Sequence, residues 1–269
     1  MTQLLQTHRN TQEAAVSYSS KENAMWYTLY TQQLHSLKYR AHEYFFELLD
    51  MLCLPQDRVP QLSEVSNILF EKSGWSLARV DGLIPYNDFF TLLANKIFPS
   101  TIYIRKSKNF SKDPDIFHEL FGHCPMLLDT NYSNFITTLA TFALQRSELE
   151  RVMLQRLLWF TIEVGLIHTD DGYRVYGGAL LSSPEEAIYA LESNNAERKH
   201  FNLLDVFRSP YRADYLQKTY FCINDMSDLY NVDLSDEAFS TVVKQAIQLG
   251  EYPAKFSVEY NKYSSVHCF

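Results

Sequence analysis

The sequence predicts an α+β fold, predominantly helical, in which a few short strands interrupt the helices of a single domain. Three observations predict it. Apolar residues recur at helical spacing through most of the chain, short β-branched or aromatic runs separate those stretches, and neither an internal repeat nor a low-complexity linker divides the 269 residues. A chain of that length buries a large core without needing disulfides.

Residues 1–20, rich in Ser, Thr and Gln, read as a polar, flexible lead, and residues 21–269 as the folded domain. Helical spacing then runs over 24–54, where Pro55 ends it. After Pro60 a second helix carries Leu62, Val65, Leu69 and Phe70 and stops at Gly74. Asn87 is a cap candidate for a third, with Phe89, Phe90, Leu93 and Ile97 along it. The run Thr101-Ile102-Tyr103-Ile104 reads as a strand ending at Arg105, and 106–114 as a polar loop. Helical patterns follow over about 115–127, 131–145 and 147–168. The last is the best defined, because Ser147 and Glu150 have capping-box spacing and Met153, Leu157, Phe160, Val164 and Ile167 form one stripe. Beyond it, strands are expected at 173–176, 202–207 and 217–223, a helix at 184–191 opened by Pro184, and a last helix from the cap Ser235 to Gln248.

Hydrophobic residues make up 46% of the chain, charged residues 21% and aromatics 14%, a mixture that excludes a disordered or fibrous protein. Against 32 Asp and Glu stand 24 Lys and Arg, a net charge of −8 with no long basic run, so nucleic acid and anionic membranes are not expected partners. The longest apolar stretch, 157–167, is too short to span a bilayer and contains Glu163. No basic and then apolar leader opens the sequence. Cys53, Cys124, Cys222 and Cys268 are scattered without a C-x-x-C pair, which suits a reducing compartment. A cytoplasmic protein, monomeric or a small homo-oligomer, is the expectation.

Two blocks carry candidate chemistry. In Pro114-Asp115-Ile116-Phe117-His118-Glu119-Leu120-Phe121-Gly122-His123 the imidazoles stand five residues apart, unlike the four-residue spacing of a zinc-protease H-E-x-x-H helix. Five residues of a regular helix turn through about 140°, so the rings meet on one metal only if the helix is distorted near Gly122. Two satisfied core or surface histidines are the alternative. The second block, 157–167, surrounds Glu163 with apolar side chains, and a carboxylate there costs several kcal/mol unless a cation or strong donors compensate it. A buried Arg or Lys would serve, and so would a metal. Together, His118, His123 and Glu163 make the two-histidine, one-carboxylate set of non-haem iron oxygenases, which leaves coordination positions open. Trp159, four residues before Glu163 on the same helical face, either borders such a cavity or is a core aromatic. Arg105 is either a solvated strand-end charge or a fork for a substrate carboxylate. Tyr176-Gly177-Gly178-Ala179-Leu180-Leu181-Ser182-Ser183 permits close backbone approach but lacks dinucleotide-binding spacing, and reads as a turn.

These blocks, together with Ile102-Tyr103-Ile104-Arg105 and Gly82-Leu83-Ile84-Pro85-Tyr86-Asn87-Asp88-Phe89-Phe90, resemble the pterin-dependent aromatic amino acid hydroxylases in order and spacing over about residues 25–225. The resemblance implies that family's single catalytic domain, with iron(II) on His118, His123 and Glu163, dioxygen as oxidant and tetrahydrobiopterin or a related tetrahydropterin as two-electron donor. It further implies that Arg105, helped by Ser182, holds the amino acid carboxylate, and that Trp159, Pro114 and the His118 ring wall the side-chain pocket. Phe89 would stack on the pterin beside the backbone near Ile84 and Tyr86, and Glu119 would line the pterin side as a further catalytic group. No regulatory domain precedes the matched region and no heptad-bearing tail follows it, so the chain looks most like the short bacterial phenylalanine 4-hydroxylases. The expected reaction is L-phenylalanine to L-tyrosine. Tryptophan or tyrosine hydroxylation is the alternative within the family, and Ala179 stands where many relatives have glycine. From other classes, a zinc hydrolase with Glu119 as base and a non-catalytic module with structural histidines are the competing readings.

Overall fold

Ser19 accepts a hydrogen bond from the Glu22 amide while the Glu22 carboxylate returns to the Ser19 amide at 2.7 Å, and this capping box starts helix α1 (Ser20–Leu37). The computed structural model of the chain describes residues 15–107, 114–256 and 267–268. The single helix expected over 24–54 is two, α1 and α2 (Glu43–Leu52). The break falls where Arg40 and His42 exchange backbone hydrogen bonds of 2.8 and 3.0 Å with Val175, a tertiary pairing that overrides helical propensity. Helix α3 (Leu62–Ser73) ends as expected at Gly74, whose φ of 74° suits a residue without Cβ.

Strands β1 (Ser76–Arg79) and β2 (Ile84–Pro85) lead to α4 (Tyr86–Ala94) and β3 (Ile97–Ser100). Helix α4 is preceded by extended Pro85, so it starts before Asn87, the expected cap. The strand expected at 101–104 lies instead at β3. Lys96, at φ 57°, turns the chain out of the helix early, and β3 then pairs in parallel with β1. The helix expected at 115–127 is a π-turn, His118–His123, followed by a 3₁₀ turn, Met126–Leu128. Helices α5 (Thr130–Ala143) and α6 (Glu148–Leu158) follow, the latter opened by the anticipated Ser147–Glu150 box. The expected continuation of α6 to residue 168 is a second π-turn, Trp159–Glu163, and then strand β4 (Leu166–Thr169), because β4 takes partners in β5 (Gly172–Val175) and in β7 (Thr219–Ile223).

Helices α7 (Gly178–Leu181) and α8 (Pro184–Glu192), strand β6 (Glu197–His200) and helix α9 (Leu203–Arg208) precede β7; α10 (Ser227–Tyr230), α11 (Asp236–Leu249) and β8 (His267–Cys268) follow it. The strand expected at 202–207 is therefore a helix, because the Asn202 side chain caps the Asp205 amide at 3.2 Å and this local bond outweighs the apolar run. The sheet order is β5-β4-β7-β6, with β4–β5 antiparallel and the other two pairs parallel. Across the core, Phe117 and Phe121 stack at 4.9 Å, and Trp26, Tyr30 and Phe45 meet them edge-on at 5.4, 5.2 and 5.7 Å. Each such buried ring contributes roughly 1.5–3 kcal/mol, and together they fasten α1 and α2 to the first π-turn.

Residues 1–14 of the expected lead lie outside the described residues, as do 108–113 of the expected loop. From residue 15 the chain is tied down: Val16 exchanges hydrogen bonds of 2.8 and 3.0 Å with the Gln61 side chain, and the Tyr18 hydroxyl donates to the Ile102 carbonyl. No helix among the described residues is long and apolar enough to cross a membrane.

One buried acid yields a stability prediction. Glu186, 2% exposed, has no ion-pair partner among the described residues, and burial pushes its carboxyl up from 4.5 to about 7 against the pull of its two hydrogen bonds. The folded chain thus binds this proton more tightly than the unfolded chain. Its contribution is full below about pH 4.5 and is lost as pH rises through 7. Glu186→Gln, which cannot ionise, should gain up to about 3 kcal/mol on the natural chain between pH 5 and pH 8, read as a growing difference in melting temperature. Equal differences at both pH values would contradict it.

Candidate metal centre

The Asp115 side chain accepts from the His118 amide at 3.0 Å and opens the first π-turn. Its ladder is i→i+5, with the Cys124 amide donating to the Glu119 carbonyl at 3.1 Å. That wider turn reduces the angular offset of a regular helix and brings residues five apart onto one side. His118 Nε2 and His123 Nε2 lie 3.1 Å apart, the rings edge-on at 84°. Glu163 ends the second π-turn, closed by the Val164 amide on the Trp159 carbonyl at 2.9 Å. Its Oε2 lies 3.1 Å from His123 Nε2 and 3.7 Å from His118 Nε2, so the three candidate ligand atoms fall within 4.8 Å of one another.

Four glycines let the backbones come this close. A Cβ on Gly178 would stand 2.3 Å from His123 Cε1, and one on Gly122 would stand 2.5 Å from the Gly178 carbonyl oxygen. At Gly177 it would meet the Glu163 carbonyl at 2.4 Å, and at Gly165 the Tyr176 ring at 2.2 Å. The block expected to be a turn is the short helix α7, whose first residue lies against a metal-ligand candidate. Buried Gln33 on α1 donates to the Leu181 carbonyl at 2.7 Å and fixes the end of α7. Ser182 then sets the His118 ring. Its Oγ is 2.9 Å from His118 Nδ1 and itself donates to the Gly178 carbonyl at 2.9 Å, so Nδ1–H is the donor and Nε2 is left with a bare lone pair.

Burial, reinforced by neighbouring His123, pushes the His118 imidazole down to about 3 and keeps it neutral. For Glu163, burial works upward, but the adjoining His123, with His118 behind it, holds the carboxyl below its ordinary value. Glu163 Oε2 is buried and makes no hydrogen bond of acceptable geometry despite its two close nitrogens. Three ligand atoms gathered within 4.8 Å, one of them a buried carboxylate oxygen without a hydrogen bond, are what a divalent cation satisfies, and two imidazoles with one carboxylate suit iron(II). Glu119, 5% exposed, has its carboxyl raised well above the carboxylate range by burial and then by the charges of Glu163 and Asp115.

Arg105 is not a solvated charge. Its Nε and one terminal nitrogen clasp Asp115 at 2.9 and 2.6 Å, and its amide donates to the same carboxylate at 2.8 Å. Asp115, which the sequence reading passed over, therefore serves both the fork and the π-turn; its signal was a cap-spaced acid three residues before His118. Trp159 lies flat on Tyr211, ring centroids 4.8 Å apart at 12°, and nothing in the sequence marked that loop tyrosine. The Pro114 carbonyl accepts from the Tyr103 hydroxyl. On the other side, Phe89 packs edge-on to Phe90 at 5.4 Å, Tyr86 lies 4.3 Å from Phe90, and Ile84 pairs with Cys268. Helix α4 packs on β3, whose Phe98 ring lies 5.1 Å from His123, so this group adjoins the metal ligands through one ring.

Residues 1–267 match the family described as biopterin-dependent aromatic amino acid hydroxylase. The chain belongs to that family. It is 41% identical to the phenylalanine-4-hydroxylase of Pseudomonas aeruginosa over 243 residues, 90% of this chain and 92% of that one. Among solved structures it is similar to the phenylalanine hydroxylase of Legionella pneumophila, with 44% identity, TM-score 0.84 and coverage of 90% of this chain and 96% of that one. It is similar, too, to that of Chromobacterium violaceum with bound iron(III) and 7,8-dihydrobiopterin, with 36% identity, TM-score 0.82 and coverage of 90% and 88%.

Two substitutions separate packing from ligand orientation in this hydroxylase. Gly178→Ala should lower the melting temperature, by roughly 1–3 kcal/mol of overpacking, and reduce iron content as the His123 ring is displaced. Ser182→Ala should leave the fold intact but weaken iron(II) affinity roughly 10- to 100-fold, measured by metal titration, because His118 loses the partner that fixes its tautomer.

Proposed function

We propose that this hydroxylase is a phenylalanine 4-monooxygenase, converting L-phenylalanine to L-tyrosine with dioxygen and a tetrahydropterin at a non-haem iron(II) centre. The observation that carries the reading is the convergence of His118, His123 and Glu163, in a chain 41% identical to a phenylalanine-4-hydroxylase over 90% of its length. Bound there, iron(II) would activate dioxygen and tetrahydrobiopterin or a related tetrahydropterin would supply two of the four electrons it takes up, the oxidised substrate supplying the other two, so that one oxygen atom enters the ring and the other leaves as water. The protein supplies placement. Three protein ligands would leave coordination positions open, and Ser182, by holding His118 Nδ1, leaves Nε2 free to ligate the iron. The remaining terminal nitrogen of Arg105 anchors the amino acid carboxylate while Asp115 holds the rest of the fork. Trp159 and Pro114 wall the ring with the His118 imidazole. Phe89, the backbone at Ile84 and Tyr86, and Glu119 take the pterin. Family membership leaves no support for a zinc hydrolase or a non-catalytic module. We read the compartment as cytoplasmic, with Cys53, Cys124 and Cys222 as free thiols in support.

Incubation with iron(II), tetrahydropterin and dioxygen plus each aromatic amino acid should give tyrosine from phenylalanine at the highest kcat/KM. A clear preference for tryptophan or tyrosine would overturn the substrate and leave the iron and pterin chemistry standing. His118→Ala, His123→Ala and Glu163→Ala should each abolish tyrosine formation and lower iron content. Iron(II) at a hundredfold excess over Kd should stabilise the natural chain by about 2.7 kcal/mol, seen as a higher melting temperature. Arg105→Ala should raise KM for phenylalanine and also lower the melting temperature in the absence of substrate, since it strands a fully buried Asp115 at a cost of roughly 3–5 kcal/mol.

A further inference from the structure

The proposed reaction has no use for one buried acid, Glu186. Glu186 sits in the first turn of α8, which begins directly after the Ser182–Ser183 pair that borders His118. Its side chain is aimed at the irregular segment 209–218 between α9 and β7: Oε1 accepts from the Gln217 amide at 3.1 Å and from the Tyr220 hydroxyl at 3.2 Å. Gln217, 6% exposed, turns its side-chain amide back along the same segment, donating to the carbonyls of Tyr215 at 2.7 Å and Arg212 at 2.5 Å. Arg212 in turn grips Asp214 with two bonds of 2.8 and 2.6 Å. What this braced segment carries is Tyr211, whose ring is stacked on Trp159 and meets Phe160 edge-on at 6.1 Å. A segment with no helix or strand of its own is thus fixed by side chains, and the fixing point lies on the stretch that orients a metal ligand.

We propose that Glu186 and Gln217 are positioning residues for the aromatic pocket, a clamp that holds Tyr211 flat against Trp159 and so keeps that wall at a set distance from the ligands. The proposal rests on the reading of Trp159 as a wall of the amino acid site. Because Glu186 Oε1 only accepts, an amide oxygen can replace it and an alkyl group cannot.

The test begins with metal-free protein, where near-ultraviolet circular dichroism, corrected with Trp159→Phe, reports the Trp159–Tyr211 stack. Glu186→Leu should lose that signal, Gln217→Met should weaken it, and Glu186→Gln should keep it. With iron(II) and tetrahydropterin, Glu186→Leu should raise KM for phenylalanine roughly two- to tenfold, the worth of one aromatic pair, with a smaller fall in kcat. Glu186→Gln should remain within twofold. In a Tyr211→Leu background the effect of Glu186→Leu should vanish, because the clamp acts through that ring. Should Glu186→Leu fail to fold, Gln217→Met decides, since it keeps the backbone bond to Glu186 and loses only the brace. An unchanged dichroism signal and KM in these variants, or full additivity with Tyr211→Leu, overturns the clamp. Absence of tyrosine from the natural enzyme's reactions would instead overturn the reaction reading, with the metal-free signal still deciding the clamp.

Discussion

Everything at this site depends on bringing three lone pairs together in a dry interior from positions that a regular α-helix sets apart. The chain meets that requirement twice with the same device, an i→i+5 turn, once for the two histidines and once for the glutamate. A π-turn is a poor helix on its own, and here it is held from outside. Phe117 and Phe121 bolt the first to α1 and α2, while the backbone of Gly178 packs closely against Gly122 and His123. The close approach is therefore a property of the missing Cβ atoms as much as of the ligands.

The charges follow the same economy. An acidic protein of net charge −8 sends few cations inside, yet it places Arg105 at the edge of the site and gives it a fully buried carboxylate partner. A buried ion pair adds little to stability compared with apolar packing, but its geometry is rigid. Asp115 turns that rigidity to two ends, aiming the guanidinium and starting the turn that carries His118.

Features written in local chemistry were legible in the sequence: the Ser147–Glu150 box, the Ser235 cap, the stop at Gly74, and the residue types of the metal set. The convergence of that set was not, because α-helical periodicity argues against a five-residue pair and only packing from other elements makes the π-turn. The same holds for the break near Arg40, which answers to Val175, and for Ser182, whose hydroxyl was visible but whose partner was not. Lys96 and Asn202 mislead in the opposite way, since one residue's backbone angle or cap reverses the element that the surrounding apolar pattern suggests. Tyr211 and Gln217 carry no periodic or motif signal, and although Gln33 falls in the buried stripe of α1 and Glu186 at cap spacing from Ser183, neither pattern shows the tertiary partner through which the side chain acts.

The strand that follows Glu163 lies between β5, its immediate neighbour in the chain, and β7, which is synthesised much later. Gln33, which fixes the end of α7, contacts a residue 148 positions away. The β4–β7 pairing and the Gln33 bond join residues far apart in the chain, and contacts of that separation form slowly. Gly178 and Ser182 also follow all three ligands in the chain, so the metal set is made before the residues that seat its two imidazoles. A chain extended only as far as Glu163 lacks both the partner that sets the His118 tautomer and the backbone against which the His123 ring rests.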